Sequence, residues 1–472
     1  MRGMTSPGFT IAAGASAPAR SSAWRIEIGE TLWLAAPMAL TQLGQIAMMT
    51  TDLALIGRLG DAAMAAAALA HTVLFIAFML GIGLVAAVAP LAAQGFGARA
   101  PRQVRASLRM GIWAALLAGI PLTLVQLYGE QLLLALGQHS DTAQLAGRYL
   151  DGLAWSLVPS WIFIALRGFM GAVNRPAPAL WIMLAAVPIN AALAYALING
   201  ALGLPRLEIF GAGLATALVS VAMCGAALLV CYGCQPFRKY RVLAQFFHPH
   251  WPLLRRLLAL GLPISGASAL EYGVFGAAAL LMGRIGTSAL AAHQIALQIA
   301  AILFMVPLGI SLAATVRVGH AVGRNDAAGA RRAGFVAIGL GLLFMAAMTL
   351  LVALTRRQIP QLFLGDSAAA TETTRITAAL LVVGISFFIA DGLQVVANGA
   401  LRGRNDTKIP LLFAAFGFWA IGFPCSYLLG FNAGFGPAGV WSGLSIGLAI
   451  YAALLVWRFH RLTLPPRNFP AV

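Results

Sequence analysis

Apolar positions run on without a polar face for about twenty residues at a time, the length a helix needs to cross a bilayer. Such runs lie near 31–56, 64–90, 105–127, 144–170, 178–200, 211–235, 258–282, 288–314, 330–354, 375–400, 410–430 and 436–458. Charged positions gather between them. The pattern predicts an all-α polytopic membrane protein of about twelve transmembrane helices. The expected divisions are a disordered cytoplasmic tail at 1–25, a six-helix lobe at 26–234, a cytoplasmic linker at 235–252, a second six-helix lobe at 253–460 and a cytoplasmic tail at 461–472. Residues 1–25 lack the continuous apolar stretch of a signal peptide.

The two halves repeat each other, a signal worth seeking early. Leu34-Ala-Ala-Pro37 resembles Leu260-Gly-Leu-Pro263, at an offset of 263 − 37 = 226. Gly57-Arg-Leu-Gly60 matches Gly283-Arg-Ile-Gly286 at the same offset, and so do Gly83 with Gly309 and Gly97 with Gly323. Six helices bring the second half in from the same side as the first. The repeat is therefore parallel, about an axis along the membrane normal. Two facing lobes leave a central cavity, a geometry suited to alternating access.

Composition agrees with a membrane protein. Of 472 residues only 10% are charged, against about 25% in soluble domains. The net charge of +17 would suggest nucleic acid in a soluble protein. Here its distribution explains it. Basic residues cluster in alternate connections: Arg99, Arg102, Arg105 and Arg109; Arg238, Lys239 and Arg241; Arg324, Arg331 and Arg332; Arg402, Arg404 and Lys408; Arg458 and Arg461. The intervening loops carry few. That alternation puts both termini in the cytoplasm of a bacterial inner membrane. The expected partners are the bilayer and small organic molecules, with no nucleic acid, and the chain is expected to be a monomer. Cys231-x-x-Cys234 has no second ligand pair and reads as a helix end rather than a metal site.

Candidate chemistry lies inside the spans. A carboxylate at bilayer depth costs several kcal/mol and is kept where it meets an ion, a proton or a substrate. Asp391, in the tenth run, shares a helix face with Gln394 and Asn398. The seventh run carries Ser268, Glu271, Tyr272 and Phe275 on one face; the first carries Gln42, Gln45, Met49 and Asp52; the eighth carries Gln294 and Gln298. Glu271 falls at the repeat position of Gln45. Stripes mixing amides, acids, Met and aromatic rings suit amphipathic molecules of varied shape. Glu271 and Asp391, with Asn190 after Pro188 in the fifth run, are the candidate ligands of a coupling ion, and the remaining stripe residues line the substrate cavity. No Lys or Arg is expected at comparable depth. Phosphate-loop, metal-ligand and nucleophile–base signatures are absent from the sequence, so no enzyme activity and no cofactor are expected beyond Na⁺ or H⁺ as the coupling ion.

The motifs Thr51-Asp-Leu-Ala-Leu-Ile-Gly-Arg-Leu-Gly60, Leu270-Glu-Tyr272, Ala291-Ala-His-Gln-Ile-Ala-Leu-Gln298, Val316-Arg-Val-Gly-His320 and Asp391-Gly-Leu-Gln-Val-Val-Ala-Asn-Gly-Ala-Leu-Arg-Gly403 resemble those of multidrug and toxic compound extrusion (MATE) transporters of the NorM type. The resemblance runs over about 25–460. It implies twelve helices in two lobes and cation-coupled export of organic, often cationic, xenobiotics. It also implies ion or substrate roles for Asp52, Glu271, Asp391, Asn190, Gln294 and Gln298. Ala186 and Phe388 stand where the family often has polar residues, which leaves Na⁺ against H⁺ open, with the resemblance tilting toward Na⁺. Alternative readings are a flippase for a lipid-linked precursor, which would want basic residues in the cavity, and a channel or membrane-embedded enzyme.

Overall fold

The computed structural model describes residues 20–464 apart from 202, 243, 245, 249 and 364–367. In lipid every backbone polar group must be bonded within the protein, and long helices achieve this. Among the described residues twelve helices are long and apolar enough to span: α1 (Ala23–Gly57), α2 (Asp61–Gly97), α3 (Pro101–Leu127), α4 (Ser140–Ala172), α5 (Ala177–Asn199), α6 (Glu208–Gly233), α7 (Trp251–Ile285), α8 (Thr287–Gly323), α9 (Ala327–Thr355), α10 (Thr371–Gly403), α11 (Lys408–Asn432) and α12 (Gly436–Leu462). Most exceed the expected runs by several residues, because they continue beyond the apolar stretch into polar turns. Helix already begins at Arg20, so the part of the expected tail from 20 to 25 is helical. Residues 1–19 and 465–472 lie outside the described residues. α11 widens into π-helix at Ala415–Gly422 and Leu428–Asn432, on either side of Pro424.

The lobes meet through two swapped pairs of helices. α1 packs on α8, and α2 packs on α7. Glycines allow the approach. A Cβ on Gly83 would strike Ser265, and a Cβ on Gly309 would strike Ala39. Ser265 and Ala39 are themselves related by the repeat offset. At the ends of α2 and α8 the exchange recurs: Gly97 lies against the His320 carbonyl, and Gly323 against the Gln94 carbonyl. His320 occupies the repeat position of Gln94. Each also bonds across the lobes. Gln94 Nε2 donates to the Gly403 carbonyl (2.9 Å), and His320 Nε2 lies 2.7 Å from the Ala172 carbonyl. These contacts show the parallel two-fold directly.

The same end of the molecule carries an asymmetric lock. Arg317 on α8 pairs with Glu27 (2.8 Å) and with Glu30 on α1. Between α6 and α7 the connecting segment lies on the first lobe rather than hanging free. Phe237 and Tyr240 pack on Phe169, and Trp113 Nε1 donates to the Phe246 carbonyl (2.9 Å).

Enlarging Gly97 and Gly323 should therefore wedge the lobes apart where they touch. In the double variant Gly97→Leu/Gly323→Leu, the distance between spin labels at Arg175 and Arg404 should widen by several ångström, about the reach of an isobutyl group. An unchanged distance would mean that the lobes do not bear on these glycines.

Candidate functional site

α10 presents Asp391, Gln394, Asn398 and Arg402 on one face, because steps of three, four and four residues return near the same side of a helix. Close packing on α8 holds that face in place. Ser311 Oγ donates to the Val395 carbonyl (2.6 Å), and Thr315 Oγ1 donates to the Gly399 carbonyl (2.8 Å). A side chain on Gly399 would collide with Ser311, so the small residue sets the helix separation.

Gln394 joins the two acids. Its Nε2 donates to Glu271 Oε1 on α7 (3.0 Å) and to Asp391 Oδ1 (3.2 Å). A neutral amide can hold two carboxylates in register without neutralising either. Asn398 Nδ2 donates to Tyr451 Oη (2.9 Å), which anchors the stripe to α12.

A cavity of about 440 Å³ lies between the lobes. Its polar wall comprises Gln42, Arg167, Ser268, Glu271, Tyr272, Gln294, Gln298, Asp391, Gln394, Asn398 and Arg402. Phe275, Met38, Met79, Phe304, Met305 and Phe387 supply apolar surface. The volume falls in the drug-sized range. The cross-lobe bonds described above close the end nearest Gly97 and Gly323.

Four expected residues lie elsewhere. Asp52 is buried within the first lobe, where Asn190 Nδ2 donates to Oδ1 and Thr216 Oγ1 donates to Oδ2 (3.0 Å). Asn190 therefore meets Asp52, not Glu271 and Asp391, because α5 packs on α1 and α6. Gln45 lines a separate small recess with Ser160, Arg167 and Ser220. Met49 is exposed and outside the cavity lining. The reason is angular. At about 100° per residue, Gln45 and Asp52 sit roughly 60–80° around the helix from Gln42, enough to turn them into the lobe.

Two further expectations change. Arg167 and Arg402 both line the cavity, whereas no basic side chain was expected at that depth and Arg402 was assigned to a cytoplasmic connection. Arg402 was within reach of the sequence, since it continues the Asp391 stripe by one turn. Nothing comparable marked Thr216. Phe388 belongs to an aromatic cluster with Phe387 and Trp441, and Ala186 is buried in α5, so neither departure removes a group that the cavity uses. His293 packs, accepting from Trp441 Nε1 (3.0 Å).

Residues 37–196 and 263–428 match the MatE family model, one segment in each lobe. The chain is 76% identical over 463 residues to a probable multidrug resistance protein NorM of Rhodopseudomonas palustris, covering 98% of each. The chain belongs to the MatE family. It is an integral membrane transporter of that family, not an enzyme. The MATE fold is shared with a eukaryotic MATE transporter, AtDTX14, at TM-score 0.83 and 21% identity, covering 93% of this chain and 99% of that one. It is shared also with an outward-facing multidrug resistance MATE transporter at TM-score 0.83 and 20% identity, covering 93% and 96%.

Asp52 lies off the cavity of this MATE transporter, so its effect on cargo should not depend on cargo charge. Asp52→Asn should weaken export of a permanent organic cation and of its neutral analogue by the same factor, measured as initial efflux rates. A loss confined to the cation would put Asp52 in contact with substrate.

Proposed function

We propose that the chain exports amphipathic organic xenobiotics, many of them cationic, in exchange for Na⁺ or H⁺. The observation that carries this reading is the Glu271–Gln394–Asp391 bridge on the wall of a cavity sealed at one end. A carboxylate pair there binds a cation or proton in one orientation and can release it in the other. Gln294 and Gln298, both exposed, and the ring of Tyr272 give a cargo polar and aromatic contacts on the same wall. The kinship to proteins named for multidrug resistance supports the cargo class.

With the basic connections in the cytoplasm, as the charge distribution favours, the sealed end faces inward and the cavity faces out. Both termini then lie in the cytoplasm of a bacterial inner membrane, and one chain contains a complete cavity, consistent with a monomer. A volume of about 440 Å³ favours a drug-sized cargo over a lipid-linked saccharide.

Proteoliposomes given a Na⁺ gradient or a pH gradient separately should extrude a cationic dye with one of the two. Glu271→Gln and Asp391→Asn should each abolish gradient-driven efflux, a loss of about a hundredfold or more, with protein levels near normal. Wild-type rates in either neutralised variant would refute the assignment.

A further inference from the structure

Two guanidinium groups lie at the closed end of the cavity, and Arg402 is near enough to Glu271 to feel its charge without pairing with it. Arg167 comes from the last turns of α4 in the first lobe, and Arg402 from the last turn of α10 in the second. Among the described residues neither forms an ion pair. Among the described residues, Arg167 Nη1 donates to the neutral Gln42. Arg402 Nε is buried without a hydrogen-bond partner. An arginine at this depth is expensive and is kept where it meets an anion or lines a pathway. A guanidinium with an unbonded N–H favours an oxygen acceptor where the cavity reaches its other nitrogens.

We infer that Arg167 and Arg402 form an anion subsite at the closed end of the cavity, one that takes the carboxylate of a zwitterionic amphiphile whose cationic end lies toward Glu271 and Asp391. The inference rests on the export reading and names a cargo class for it. A guanidinium fork matches a carboxylate with two parallel bonds, and two forks from opposite lobes can share one such group. Arg402 follows Asp391 by three turns, roughly 16 Å along the axis. Helical side chains lean toward the N-terminus, so the opposite charges stand roughly 10 Å apart, the length of a fused aromatic drug. Met38, Phe304 and Phe387 line the same cavity and supply the apolar surface for its body. Two cations and two carboxylates leave the cavity close to neutral, which suits a zwitterion and disfavours a polyanion such as a pyrophosphate. Because the arginines belong to different lobes, such a cargo would bridge the moving parts.

The test compares a xanthene dye bearing a free benzoate with the methyl ester of the same dye. Binding to the purified full-length protein is followed by fluorescence anisotropy, and efflux by proteoliposomes. Arg402→Gln and Arg167→Gln should each weaken binding of the free acid by about tenfold or more while moving the ester by less than about twofold. Arg402→Lys, which keeps the charge and loses the fork, should fall between. If Arg402→Gln does not fold, Arg402→Lys and Arg167→Gln give the same readout. Equal losses for acid and ester would mean that Arg402 only balances the charge of Glu271, and would overturn the subsite. No change for either dye would overturn it too. So would selective loss of binding to vesicles of anionic phospholipid with the dye acid unaffected, because the ligand would then be a lipid phosphate. Wild-type protein that binds acid over ester through the arginines but exports neither dye would leave the subsite standing and remove the export reading.

Discussion

A carboxylate inside a bilayer has no water to solvate it, so its surroundings must do so or it must carry a cation or proton. Glu271 and Asp391 are held by one neutral amide, Gln394, that orients both and neutralises neither. Much of the architecture serves that arrangement. α8 and α10 close up through Ser311, Thr315 and Gly399, which keeps the α10 face aimed at the cavity. α7 brings Glu271 to it from the same lobe. Filling the amide position with an apolar side chain would leave two acids facing each other with nothing to fix their separation.

The backbone is nearly symmetric and the chemistry is not. Gly83 and Gly309, and Gly97 and Gly323, make exchanged contacts across the axis. At the repeat positions Gln45 and Glu271, however, one lobe has an amide off the cavity and the other has the acid on it. The first lobe keeps its own acid, Asp52, turned inward onto Asn190 and Thr216. A parallel repeat exchanges the lobes but does not relate the inward- and outward-open arrangements to each other. Unequal chemistry lets an ion and a cargo choose between them, which a transporter needs if binding is to shift populations. The Arg317 pairs with Glu27 and Glu30 add weight to the state closed at the basic end.

Much of this was legible in the chain. Hydropathy located all twelve helices, and the 226-residue offset paired Gly83 with Gly309 and Gly97 with Gly323, which make exchanged contacts across the lobes. Depth inside the spans marked Glu271 and Asp391, although the expected isolation from basic residues did not hold. Helical stripes were a coarser guide. Asn190 was grouped with Glu271 and Asp391 but meets Asp52 instead, because a sequence does not say which neighbour a polar residue faces. Gln45 and Asp52 left the cavity because a four-residue stripe is broad enough for its edges to face different partners. Arg402 was set aside as a loop charge because the apolar run ends before it, yet the helix and the cavity continue one turn further. A charge count says little about the depth of a residue at the end of a helix.

On the export reading, one carboxylate site answers to both the coupling ion and the cargo. Binding linkage is reciprocal, so each must change the other's affinity by the same factor. The most direct measurement is cargo binding to the purified protein, first across a Na⁺ series at fixed pH and then across a pH series without Na⁺. Cargo affinity should fall in one series, by the factor by which the cargo weakens that ion, and Glu271→Gln should remove the effect. Cargo affinity indifferent to both Na⁺ and pH would contradict it.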